Sequence, residues 1–109
     1  MKDLYDLYTL SREFSFDGAI LSEAIKKTFA RRKTELPTKL PVMFTSEFFD
    51  DTDKKKQWAA FCNKNRDYIA EISLEAVCKQ LATFLMPIVE GLNGKADIPK
   101  RWLKGTWAN

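Results

Sequence analysis

Apolar residues recur at spacings of three and four along most of the chain, and two-residue alternation never persists beyond a few positions. The longest stripe is Leu74, Val77, Cys78, Leu81, Phe84, Leu85, Ile88 and Leu92. It predicts a helix over 74–92 with one face turned to a core or an interface. Ser73 stands where an N-cap belongs, and Asn93-Gly94 where a left-handed terminal cap does. Pro87 lies inside this helix and is expected to kink it, because it lacks an amide donor and crowds the carbonyl four residues back.

Leu4, Leu7, Tyr8, Ser11 and Phe14 give a first helix over 2–13 with one buried face. Asp17-Gly18 then breaks the pattern, with Asp17 placed to cap a second helix over 18–32 that packs through Leu21, Ala24, Ile25, Thr28 and Phe29. Residues 34–41 hold two prolines and no periodicity, as a loop does. Thr45 or Ser46 is placed to cap a short turn of helix holding Phe48 and Phe49. A further helix is predicted over 52–65, with Trp58, Phe61 and Cys62 on its core side, followed by a short linker at 69–72. Residues 95–109 show no periodicity. Trp102, Leu103 and Trp107 are nonetheless costly to leave in water, at roughly 2–3 kcal/mol for each such side chain, so this segment is expected to fold back onto the helices.

The pattern therefore predicts an all-α fold: a bundle of four main helices plus a short one over 1–94, with an irregular tail, 95–109, packed on it. A chain of 109 residues makes one domain of this kind, and 45% hydrophobic with 30% charged residues is ordinary for a globular protein. No apolar run approaches the roughly 20 residues of a membrane span and the start does not resemble a signal peptide, so a cytoplasmic protein is expected. The absence of histidine excludes Ser-His and Cys-His nucleophilic machinery and most zinc sites, leaving carboxylates and lysines as the available bases. Cys62 and Cys78 fall on apolar stripes and read as small buried hydrophobes, and no metal site is expected.

The candidate chemistry lies in Lys2-Asp3-Leu4-Tyr5-Asp6-Leu7. Two carboxylates three residues apart, with a lysine four before the second, share one side of a helix. Such a group can bind a cation or take a proton from an attacking hydroxyl. The plainer alternative is a solvated first turn in which Asp3 and Asp6 complement the helix dipole and Lys2 pairs with Asp6. A net charge of +3 makes the chain mildly basic, and Lys26, Lys27, Arg31 and Arg32 cluster at the end of the second helix. That cluster is either a phosphate-facing surface or charge complementing the helix C-terminus.

Lys2-Asp3-Leu4-Tyr5-Asp6-Leu7, followed by Leu10-Ser11-Arg12, Phe16-Asp17-Gly18, Thr28-Phe29-Ala30-Arg31-Arg32, Leu36-Pro37 and Lys56-Gln57-Trp58-Ala59-Ala60-Phe61, resembles the C-terminal half of the AbiEii/AbiGii nucleotidyltransferase-like toxin family. The resemblance covers most of residues 1–94. It implies a toxin of type IV toxin–antitoxin and phage-abortive systems that transfers a nucleotide to an acceptor, which in some branches is RNA. By matching position it implies that Asp6 is the base or essential carboxylate. Lys2 would contact triphosphate or substrate, and Asp3 would orient Lys2 or a substrate hydroxyl. In the family, Mg2+ and a nucleoside triphosphate are held by a preceding domain with a Gly-Ser and Asp-x-Asp motif. These residues contain no counterpart to it, so the chain alone is expected to be inactive and to hold no cofactor by itself. The partners implied are that nucleotidyltransferase domain or self-association, an antitoxin and RNA, with no membrane contact. A helical module that binds protein or RNA without chemistry is the alternative.

Overall fold

The computed structural model describes residues 1–67, 69 and 72–108. In chain order these form α1 (Lys2–Glu13), β1 (Ser15–Asp17), α2 (Gly18–Arg31), a 3-10 turn (Val42–Phe44), α3 (Ser46–Phe49), α4 (Thr52–Lys64), α5 (Leu74–Leu92), β2 (Arg101–Leu103) and β3 (Trp107–Ala108). The fold is mainly helical, but it is not the all-α bundle that the periodicity predicts. The three strands make one antiparallel sheet in the order β1-β2-β3.

Helix α5 is the centre of the molecule, with α1, α2 and α3 all packed against it. Its stripe is the core: Val77, Cys78, Leu81 and Ile88 are fully buried, with Leu74, Phe84 and Val89 nearly so. Ser73 Oγ accepts from the Ala76 amide at 3.1 Å, and Gly94 follows the helix with a φ of 77°. Asp17 and Asp51 cap α2 and α4 in the same way, each at 3.0 Å. These caps satisfy amides that a helix start leaves without a partner. Thr45 occupies the cap position of α3, but its hydroxyl donates to the Val42 carbonyl at 2.7 Å instead. The connection expected at 69–72 lies partly outside the described residues. Trp58, buried on α4, spans to its far side by donating Nε1–H to the Ile72 carbonyl at 2.8 Å.

Several inward positions differ from the sequence reading. Phe14 is 54% exposed, because α1 ends at Glu13 and the extended backbone at Phe14 carries its side chain off the helical stripe. On α2, Ala24 and Thr28 face solvent, whereas Gly18 and Ser22 are buried, with Leu21, Ile25 and Phe29 partly covered. On α4, Phe61 and Cys62 are only half-buried. Cys78 meets the expectation of a buried thiol; burial pushes its pKa up to about 11.

The tail folds back as its aromatic residues require. Trp102 pairs with Phe16 of β1 and with Trp107 of β3, and all three rings gather on Phe84 of α5, with the centroids of Phe16, Trp102 and Trp107 at 5.5, 4.7 and 6.2 Å from it. Trp102 is fully buried, and its Nε1–H donates to the Ser11 carbonyl at 2.7 Å. Trp107 donates in turn to the Phe84 carbonyl at 3.0 Å, three residues before Pro87. Lys104 and Gly105 form the two-residue turn between β2 and β3, both at positive φ (44° and 128°), as such hairpins demand.

Two glycines allow the tail to come this close. The Gly18 amide donates to the Lys100 carbonyl at 2.8 Å, and a Cβ at Gly18 would stand 1.6 Å from the Pro99 carbonyl oxygen. A Cβ at Gly91 would lie 2.7 Å from Ile98 Cγ1. Among the described residues no helix is long and apolar enough to cross a membrane.

Candidate functional site: the α1–α4 groove

The first turns of α1 place Lys2 and Asp6 one helical turn apart, and the two side chains meet. Lys2 Nζ donates to Asp6 Oδ2 at 2.7 Å, with both groups largely in solvent. Asp6's hydrogen bond, and then its charge, raise the Lys2 pKa above the ordinary lysine value; the charge of Asp3 adds less. Lys2 is therefore fully charged at neutral pH.

Helix α4 runs beside this turn. Lys2, Tyr5 and Asp6 from α1, with Phe61, Lys64, Asn65 and Ile69, line an open groove of about 460 Å³. The Tyr5 and Phe61 rings form its aromatic wall, 6.0 Å apart and tilted by 54°. Each ring packs on a further aromatic, half-buried Tyr8 at 6.2 Å from Tyr5 and buried Trp58 at 5.6 Å from Phe61. Asn65 Nδ2 donates to the Phe61 carbonyl at 2.9 Å, which fixes its amide at the end of α4.

Lys2 and Asp6 are thus brought together at one groove. Asp3 is exposed on the same helix but does not line it. Lys26, Lys27 and Arg31 on α2 and Arg32 just after it are all exposed, and none of them lines the groove. Tyr5, Phe61, Lys64 and Asn65 are additions that the sequence reading did not make. Spacings of three and four put residues 61, 64 and 65 on one side of a helix, but no local pattern says that this side meets α1.

The arrangement offers one lysine–carboxylate pair, a second ammonium, an amide and an aromatic wall. Asp6 holds Lys2 through Oδ2. Oδ1 has no hydrogen-bond partner among the described residues and remains able to accept from a hydroxyl. The described residues of the groove do not by themselves suit a divalent cation: the one carboxylate among them is paired with an ammonium, and no group of three metal-ligating side chains occurs among the described residues.

The family model described as nucleotidyl transferase AbiEii toxin, type IV TA system, matches residues 1–80. The chain belongs to the AbiEii family. No curated protein and no solved structure matches it. The AbiEii match covers α1 to α4 and the first third of α5, so it includes every residue lining the groove. The sheet strands β2 and β3 lie beyond it. For an AbiEii chain an antitoxin is the partner that the type IV system implies.

Proposed function

We propose that the chain supplies the Lys2–Asp6 edge of α1 to a nucleotide-transfer site, with the metal and the nucleoside triphosphate held by a unit outside these residues. The observation that supports this reading is the groove itself. The two residues that match the family's K-D-x-x-D pattern meet at 2.7 Å on the rim of an aromatic-walled groove, inside the matched region. Asp6 serves as the carboxylate that accepts the acceptor hydroxyl's proton or orients that hydroxyl. Lys2 holds Asp6 in place through their charge-assisted hydrogen bond. Phosphoryl transfer depends on positioning and charge stabilisation by several cations, more than one ammonium and one carboxylate supply. The groove on its own is accordingly a part of a site.

The test is transfer of labelled nucleotide to RNA by the chain recovered from its source cell with whatever it associates with, compared with Asp6→Asn. General-base assistance contributes roughly 10²–10⁴-fold, so Asp6→Asn should lower transfer by about 100-fold or more while leaving the fold intact. Wild-type transfer by Asp6→Asn would end the catalytic reading. It would leave a helical module whose role is binding.

A further inference from the structure

We infer that the α1–α4 groove seats one nucleotide at the level of a single phosphate, with Lys64 on that phosphate and the Tyr5–Phe61 wall against its base. This rests on the nucleotide-transfer reading for the class of ligand, and on the groove for everything else.

Lys2 is matched by Asp6 at 2.7 Å, so that pair is close to neutral toward an incoming ligand. Lys64 lines the same groove and has no carboxylate partner among the described residues. Among the described residues the groove therefore presents one uncompensated positive charge, the match for a phosphodiester or a monophosphate. A triphosphate needs more cations than the described lining residues supply. Tyr5 and Phe61 both line the groove, are half-buried and each pack on a further ring, which restricts their movement. Every base has a π-face, and base–aromatic stacking tolerates any sequence. The third feature is the Asn65 amide. One of its N–H bonds is committed to Phe61, which leaves the other N–H and Oδ1 as a donor–acceptor pair for a base or sugar edge. The volume, about 460 Å³, falls within the roughly 300–1,000 Å³ of small-ligand sites, and the groove is open, as a unit of a continuing strand requires.

Lys64 closes α4, where a cation also complements the helix dipole. That role would show as a stability change with nucleotide affinity unaltered, so the two are separable.

The experiment is a titration of the isotopically labelled chain with AMP, ATP and a short single-stranded RNA, followed by amide chemical shifts. Expected are shifts at Tyr5, Phe61, Lys64 and Asn65 with AMP and with RNA, and ATP no tighter than AMP. Lys64→Ala should weaken both, and the log of RNA affinity should lose about 0.7 of its dependence on log salt, the value for one phosphate contact on a single strand. Phe61→Leu should weaken RNA binding roughly tenfold through lost stacking. RNA much tighter than AMP identifies a strand as the source of the phosphate, and equal affinities identify a free nucleotide; both support the seat. Shifts confined to the Lys26–Arg32 segment, no shifts at all, ATP markedly tighter than AMP, or full affinity in Lys64→Ala would overturn it. Loss of transfer in Asp6→Asn without nucleotide shifts on α4 would sink this inference alone. Shifts on α4 with undiminished transfer in Asp6→Asn would sink the transfer reading alone.

Discussion

Trp102→Phe tests how the tail is fastened to the helices. The indole is fully buried, and its Nε1–H donates at 2.7 Å to Ser11, one of the last four carbonyls of α1, which have no partner within the helix. Its neighbour Leu10 is served by the Phe14 amide at 3.2 Å, so the indole completes the end of α1 from the other end of the chain. Phenylalanine keeps an aromatic ring on Phe84 but cannot donate. Leaving the Ser11 carbonyl buried without a partner costs about 1–3 kcal/mol. The lost ring atoms leave a void of roughly 40 Å³, which at about 24 cal/mol per Å³ adds about 1 kcal/mol. The total expected is about 2–4 kcal/mol, read as a lower urea midpoint by far-UV circular dichroism. Ser11→Ala is the control. It removes a hydroxyl that donates to the Tyr8 carbonyl at 2.7 Å but keeps the Ser11 carbonyl, and should cost about 1 kcal/mol or less. The Gly18 amide, bonded to Lys100 next to β2, should also exchange faster in Trp102→Phe. A cost below that of Ser11→Ala, or unchanged exchange at Gly18, would refute the claim that this one bond anchors the tail.

Gly18→Ala should destabilise the chain by about 2 kcal/mol or more, since its methyl would meet the Pro99 carbonyl at 1.6 Å and the backbone would have to move; thermal unfolding measures it, and an unchanged midpoint would show that the tail yields freely. Cys78 should resist alkylation at pH 8 while the chain is folded and react once it is unfolded, because burial holds its pKa near 11. The same raised pKa sets a sign for stability. Below pH 9 the thiol is protonated in both states and its contribution is fully present. Between about 9 and 11 the unfolded chain loses that proton first, so stability should fall as pH rises through this window; replacement by Ala should remove that part of the slope in a urea series.

Local chemistry made much of this fold legible. The bounds of α1 and α5 follow from their three-and-four spacing, from Ser73 and from Asn93-Gly94, because a helix satisfies its own backbone and needs only one apolar face. The burial of Trp102 was equally readable, since an indole in water is unfavourable wherever the chain takes it. What covers it was not. Strands of three and two residues are too short for an alternation test, and β1 takes its hydrogen bonds from a strand some 85 residues away, as in Phe16 with Trp102. Gly18 read as a helix start, and only the approach of Pro99 shows why no larger residue fits there.

The candidate site divides in the same way. Lys2 and Asp6 meet because they are one turn apart on a single helix, a relation fixed by the 3.6-residue period. Phe61, Lys64 and Asn65 join them only because the packed aromatic rings of Tyr5, Tyr8, Trp58 and Phe61 bring α4 alongside α1. The helices, the need to bury the tail and the Lys2–Asp6 pair are local properties of the chain, set by neighbours within a few residues or by one side chain's aversion to water. The sheet, the close approach at Gly18 and the groove exist only once the elements have packed. Each of these joins residues distant in the chain, and their meeting depends on how whole elements pack.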